Sequence, residues 1–164
     1  MKTGIIIIFH NNEKEMDTAY FIEQIKQTSN LELCLVNNDS KDNTYDLLKD
    51  IKDECNNVSI VNVRKFKSDI AAVKAGARFM FSEFDLKHLG YVSINMLNIK
   101  YHGLNGLIEV ITENQDAILN YKIKTLKKKQ TLFQSLFSLL DYLKKLTENN
   151  NHFINLQYEN NLLK

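Results

Sequence analysis

Short apolar runs alternate with amphipathic helical patterns along most of the chain. The predicted strands cover residues 5–9, 31–36, 58–63, 91–95 and 117–121. Strands that are separated by helices cannot pair as hairpins, so they must pair in parallel through crossover connections. The alternation therefore predicts an α/β fold in which helices cover both faces of a mostly parallel sheet, a three-layer α/β/α arrangement.

Helices are predicted between the strands because apolar residues recur there every three or four positions. The first helix covers about residues 15–28. The residues that mark the four predicted buried faces are Phe21, Ile22 and Ile25; Leu47, Leu48, Ile51 and Cys55; Ala72, Ala75, Gly76 and Phe79; and Leu104, Leu107, Ile108 and Ile111. Asp42 or Asn43 can cap the second helix, and Ser68 or Asp69 the third. The small residues of the third helix predict close packing on the sheet.

Length and charge limit the partners. With 164 residues and 44% hydrophobic content, the chain is long enough to bury a core and short enough to form one compact unit. A formal net charge of +1 creates no global field that would attract a polyanion. We therefore expect no nucleic-acid partner.

The cysteines and the apolar segments predict a cytoplasmic location. Cys34 lies in an apolar run and Cys55 at a helical spacing, as buried reduced thiols would. The apolar run at residues 5–9 is too short for a signal peptide, and no stretch of about 18 apolar residues occurs. The histidines match no metal-ligand spacing, and no glycine-rich phosphate loop is present.

The chain changes character after Leu126. Leucines recur at helical spacing through residues 132–143, with lysines at both ends, and this predicts a long amphipathic helix. We assign residues 1–125 to the α/β domain and residues 126–164 to a helical extension. The extension is predicted to pack on the domain or to form a homodimer, because a domain needs such a face to complete its core. Peripheral contact with anionic lipid is the less favoured alternative.

Polar side chains follow the predicted strands where each strand ends. Since ligands of parallel sheets bind at the carboxyl ends of strands, these residues are the candidate site. The candidates are Phe9, His10 and Asn11 after the first strand; Asn37, Asn38 and Asp39 after the second; Lys67 after the third; and Asn95 after the fourth. The alternative interpretation is that these Asn and Asp residues only end strands and cap turns.

Three strings resemble one enzyme family. "IIIIFHNNE", "LVNNDSKDNT" and "KFKSDIAAVKAGARFMF" are similar to the nucleotide-binding half of family 2 glycosyltransferases, over roughly residues 5–121. The second string resembles the family motif VDDGSTDNT, with Val36, Ser40, Asp42, Asn43 and Thr44 retained. The resemblance implies a GT-A fold and a nucleoside diphosphate sugar as the ligand.

The chain departs from the family at the positions that carry chemistry. Asn38 replaces the acid that reads the nucleotide base, and Asn95 and Leu97 lie at or near the Asp-x-Asp positions that hold Mn²⁺ or Mg²⁺. Neutral side chains do little to offset the dehydration of such ions, so we predict no metal site and no metal cofactor. The family's catalytic base has no counterpart. The resemblance thus implies a glycosyltransferase-like protein with reduced or absent catalysis, or a non-catalytic module that binds a nucleotide or a protein.

Overall fold

The computed structural model describes residues 1–94, 103–121 and 136–149. Within them the strands are β1 (Lys2–Phe9), β2 (Leu31–Asn38), β3 (Val58–Val63), β4 (Leu86–Ser93) and β5 (Leu136–Ser138). The helices are α1 (Thr18–Lys26), α2 (Thr44–Glu54), α3 (Asp69–Glu83), α4 (Gly103–Glu113), α5 (Gln115–Leu119) and α6 (Leu139–Asn149), with a 3₁₀ turn at Glu13–Glu15. The first four predicted strands and the four predicted helices are confirmed, although β4 begins at Leu86 rather than at residue 91.

The described strands form one parallel sheet with the order β3-β2-β1-β4-β5. From β1 the chain moves outward to β2 and β3, and it then returns to place β4 on the other side of β1. Parallel sheets bind ligands beyond the carboxyl ends of the strands beside such a reversal, and we call this region of the sheet the crevice. The predicted fold class is confirmed.

The isoleucine run of β1 is buried on both faces of the sheet. Ile5 and Ile7 belong to the core on the side of α1, α2 and α4, while Ile6 and Ile8 belong to the core on the side of α3. Successive side chains of a strand point to opposite faces, so a continuous apolar run fits a strand that is covered on both sides. Each of these side chains is at most 1% exposed and contributes roughly 1.5–3 kcal/mol by burial.

Helix α3 packs closely on the sheet, as its small residues predicted. A Cβ atom added at Gly76 would lie 3.0 Å from the Cγ2 atoms of Ile6 and Val36. The buried face is Ala72, Val73, Gly76, Ala77 and Met80. Ala75 and Phe79 were predicted on this face but are only half-buried.

The fifth predicted strand is wrong. Residues 117–121 were expected to be extended, but most of them form α5, in which Ile118 is fully buried. The strand that follows β4 in the sheet is instead β5, which pairs Phe137 with Gly90. A short, mostly apolar run such as residues 117–121 cannot distinguish a strand from one turn of a buried helix.

The predicted helix from residue 126 is also partly wrong. Residues 136–138 are β5, and the helix α6 begins only at Leu139. The sheet therefore uses residues on both sides of position 125. Leu139 and Leu143 of α6 are buried in the core next to β4, and the rest of the predicted extension, residues 126–135 and 150–164, lies outside the described residues.

The two thiols are buried and free, as predicted. Burial raises the pKa of Cys34 to about 12, so this thiol stays protonated and unreactive. No helix in the described part of the chain combines the length and the apolar character that a membrane span requires.

Candidate functional site

Hydrogen bonds join the loop after β1 to the loop after β2. The backbone N–H of Asn11 donates to the Ser40 hydroxyl at 3.0 Å, and the N–H of Lys41 donates to Asn11 Oδ1 at 2.7 Å. One residue further on, the N–H of Asn12 donates to the buried Thr44 hydroxyl at 2.8 Å. The two polar strand ends predicted to form one site therefore lie together in one hydrogen-bonded rim.

Asp42 caps helix α2 and also holds the first loop. Its Oδ1 accepts from the N–H of Thr44 at 3.0 Å, and its Oδ2 accepts from the N–H of Glu13 at 3.2 Å. Burial disfavours the charged form of Asp42, but the hydrogen bonds from Thr44 and Glu13 outweigh it and lower the pKa of this carboxyl. The negative charge also complements the positive end of the helix dipole. Asn43, the other predicted cap, makes no capping hydrogen bond and donates instead to Glu13 Oε1 at 2.9 Å.

The backbone turns sharply at Asn11 and Asp39. Their φ angles are 52° and 53°, in the left-handed region where Asn and Asp are tolerated better than most residues. Asp39 stands where the motif VDDGSTDNT has glycine, the residue that enters this region without strain. Its carboxylate accepts from Lys41 Nζ at 2.7 Å and from the N–H of Phe66 at 3.2 Å. The hydrogen bond from Lys41 is the main reason why the pKa of Asp39 is lowered.

Asn38 forms its side-chain hydrogen bonds within the protein. Its side chain is 1% exposed. Its Nδ2 donates to the carbonyl of Lys67 at 2.8 Å, and its Oδ1 accepts from the N–H of Lys67 at 3.0 Å. The amide thus pairs with the backbone of the loop between β3 and α3 and fixes that loop over the end of β2.

His10 lies between Asn38 and the exposed aromatic ring of Phe66. Its Nδ1 lies 2.7 Å from the carbonyl oxygen of Asn38, which can only accept, so Nδ1 is assigned the proton. The His10 ring also contacts the ring of Phe66, with centroids 4.7 Å apart. Phe66 is 56% exposed. Sequence reasoning missed this residue, although a phenylalanine between two lysines after a strand was a signal.

The loop between β3 and α3 is cationic. Arg64, Lys65 and Lys67 are all exposed. Neither Lys65 nor Lys67 forms an ion pair with any residue that the structure describes. The loop therefore offers positive charge beside the crevice, and Lys67 is held at the rim by its backbone pairing with Asn38.

The side chain of Asn37 faces the opposite side of the sheet from that of Asn38, as successive residues of a strand do. It is 3% exposed, and its Nδ2 donates to Asn62 Oδ1 at 2.9 Å. Its Oδ1 has no partner among the described residues. Asn37 lines an open depression of about 280 Å³ with Asp39, Asp42, Asn62 and Arg64 on the side of α2.

Two predicted site residues are not part of this rim. Phe9 is fully buried in the core, where its ring meets Phe21 edge-on at 6.4 Å. Asn95 and the neighbouring Leu97 lie outside the described residues. Across the described ranges, no three His, Cys, Asp or Glu side chains gather as metal ligands. The neutral side chains at 95 and 97 do not fit a hard divalent ion, and the lost metal site stays a prediction from the sequence.

A family model described as "Glycosyl transferase family 2" matches residues 4–86. Similar solved structures include TarS from S. aureus, with 13% identity and a TM-score of 0.45 over 57% of this chain and 16% of that chain. The fragment TarS 1-349 has 14% identity and a TM-score of 0.46 over 70% of this chain. The chain spans only 33% of that fragment. No curated protein matches.

Proposed function

The chain belongs to glycosyl transferase family 2, and from this premise we propose that its crevice binds a nucleoside diphosphate sugar, with sugar transfer reduced or absent. The observation that carries the proposal is the single rim formed by the loops after β1 and β2, built on Asn11, Ser40 and Thr44. It lies at the carboxyl ends of parallel strands next to the point where the strand order reverses.

The cationic loop after β3 supplies what a diphosphate needs. Lys65 and Lys67 carry charges that no described residue neutralises. Phosphate oxygens form charge-assisted hydrogen bonds with such groups, and these are roughly twice as strong as neutral ones. In this proposal the lysines bind the diphosphate, while the rim from Asn11 to Thr44 shapes the wall of the crevice.

Reduced catalysis follows from the residue types at two positions. A family 2 enzyme that uses a metal requires carboxylates to hold it, and this chain has Asn95 and Leu97 at or near those positions. A leaving diphosphate then depends for its stabilisation on cations such as Lys65 and Lys67 or on helix N-termini. The sequence also shows no recognisable counterpart of the family's catalytic base, so in this proposal deprotonation of an acceptor is unassisted as well.

Calorimetric titration with UDP, GDP and their sugars, with and without Mn²⁺, tests the proposal. We expect nucleotide binding that Mn²⁺ does not strengthen. The variant Lys67→Ala should weaken diphosphate binding by roughly 3- to 10-fold, the effect of losing one solvent-exposed hydrogen bond worth about 1 kcal/mol. Lys87→Ala is the matched control, because Lys87 is also exposed but lies on β4 far from its carboxyl end.

Two results would contradict the proposal in different ways. The absence of a binding signal with every nucleotide would contradict ligand binding and favour a role as a scaffold. Binding that Mn²⁺ tightens would show that the crevice still holds a metal, and the argument for reduced catalysis would fail.

The second candidate is a non-catalytic module that binds a nucleotide or a protein partner in the cytoplasm. The burial of Asn38 favours it, because the side chain that replaces the base-reading acid is occupied by Lys67. Light scattering of the purified chain with and without nucleotide tests whether it forms a homodimer. A monomeric mass at every protein concentration would contradict the homodimer.

A further inference from the structure

We infer that the crevice recognises its nucleotide by stacking the base on Phe66, without selecting among bases through residue 38. The inference rests on the proposed function, since it concerns the same crevice. It assigns a class of ligand: purine and pyrimidine nucleoside diphosphates should bind with similar affinity.

Asn38 is unsuited to reading a base because its amide is buried and bonded to the loop after β3. Recognition of a base edge requires a donor or an acceptor that faces the ligand. Asn38 is 1% exposed, and both polar atoms of its amide bond the backbone of Lys67, at 2.8 and 3.0 Å. The loop after β3 covers this amide, so a base could reach it only if that loop moved away. The position therefore supplies no direct selection.

Phe66 is exposed and yet held in place. Its side chain is 56% exposed, although large apolar side chains are usually buried in a folded domain. Its backbone N–H donates to Asp39 Oδ2 at 3.2 Å, and its ring rests against the ring of His10. The next residue, Lys67, is fixed by Asn38. A ring that is supported in this way loses little freedom when a second ring stacks on it.

The neighbours of Phe66 suit a nucleotide rather than an uncharged aromatic ligand. Lys65 and Lys67 flank it in the chain, and both are exposed. A nucleotide whose base lies on Phe66 thus finds cationic side chains for its phosphates on both neighbouring residues. Stacking on an aromatic side chain tolerates any base, because every base presents a π-face.

Fluorescence offers a direct test, because the chain contains no tryptophan. The variant Phe66→Trp would carry the only indole, and a base stacked on it should quench its emission. We expect UDP, CDP, ADP and GDP each to quench, with dissociation constants within roughly 5-fold of one another. The quenching should saturate at the concentrations found by calorimetry for the wild-type chain.

The variant Phe66→Ala should weaken all four nucleotides by about 5- to 150-fold, the range that loss of one stacked base gives. Ile70→Ala is the matched control, since Ile70 is 70% exposed in the first turn of α3 and is not flanked by two lysines. The Ile70→Ala variant should bind the four nucleotides as tightly as the wild type. Circular dichroism of each variant confirms that the fold is intact.

The outcomes separate this inference from the proposed function. If nucleotides bind but one base is favoured by more than about 30-fold, or if Phe66→Ala binds as the wild type does, stacking is overturned and nucleotide binding stands. If no nucleotide binds to the wild-type chain, both are overturned.

Discussion

Replacing Asn38 with aspartate would restore the acid found at this position in the family motif, yet we expect the variant Asn38→Asp to be less stable at neutral pH. The Nδ2 of Asn38 donates to the carbonyl of Lys67 at 2.8 Å. A carboxylate would put an acceptor against that carbonyl oxygen, so the hydrogen bond would become a repulsion. The other bond, from the Lys67 N–H to Oδ1 at 3.0 Å, would remain.

The size of the effect follows from two contributions. A buried carbonyl that loses its donor costs about 1–3 kcal/mol. A carboxylate at a position that is 1% exposed is also poorly solvated, and each unit by which this raises its pKa costs about 1.4 kcal/mol. Because protonation restores the bond, both contributions act through one rise in the pKa of the new carboxyl. A rise from about 3.9 to about 6 would lower the free energy of unfolding near pH 7 by about 3 kcal/mol. That is a large share of the roughly 5–15 kcal/mol that stabilises a typical domain.

The loss should depend on pH with a definite sign. Once protonated, the new carboxyl group can donate to the Lys67 carbonyl and still accept from its N–H, so protonation restores both bonds of the pair. The pKa of the new carboxyl in the folded state is therefore raised above the unfolded value of about 3.9. Its stabilising effect is complete below the unfolded pKa and is lost as the pH rises through the folded pKa. The gap to the wild type should widen from about pH 4 to about pH 7.

Urea denaturation of both proteins across this pH range measures the gap. The variant Asn38→Ala is the control, because it removes both hydrogen bonds without adding a titrating group, and its loss should not change with pH. An Asn38→Asp variant that matched the wild type near pH 7 would show that the pairing with Lys67 does not hold the loop. A gap that stayed constant on acidification would refute the buried carboxylate.

Three further variants test other parts of the structure. Thr44→Val removes the acceptor of the buried Asn12 N–H and should cost about 1–3 kcal/mol in urea denaturation, whereas an unchanged midpoint would mean that water replaces the hydroxyl. Burial lowers the pKa of His88, so the wild type should lose stability as the pH falls below about 6.5. The variant His88→Leu should remove that loss in thermal unfolding. An equal loss in both proteins would assign it to other groups. Gly90→Ala would place a Cβ 2.8 Å from Cζ of Phe137 and should destabilise β5 by about 1–3 kcal/mol. The loss should appear as faster hydrogen exchange in β5. Unchanged exchange would mean that the Phe137 ring moves aside at no cost.

The central part of the fold could be predicted because local pattern and tertiary position agree there. A strand between two layers of helices must be apolar on both faces, and the run Ile5–Ile8 meets this condition without ambiguity. The meeting of His10 and Asn11 with the end of β2 was predictable for a related reason. Parallel strands end at the same edge of a sheet, so their polar ends converge whatever the details of the loops.

The edge of the sheet could not be predicted because pattern and position disagree there. Leu136, Leu139, Leu140 and Leu143 are spaced as in a helix, but Leu136 lies in β5. The backbone of residues 136–138 pairs with β4, and this contact with a distant strand outweighs the local preference. Residues 117–119 show the reverse case, since a short apolar run that could be a strand belongs to helix α5. Short segments at an edge are decided by what they pack against.

The role of Asn38 shows why residue type alone was insufficient at the site. As a substitute for an acid that accepts a hydrogen bond from a base, an amide is a weakened version of the same function. The amide, however, also donates, and only a group that does both can pair with the carbonyl and the N–H of Lys67 together. That pairing joins residues 29 positions apart, so no local pattern reveals it. The amide at position 38 thus holds a loop where the family motif has a base-reading acid, and in our inference the exposed ring of Phe66 in that loop meets the base instead.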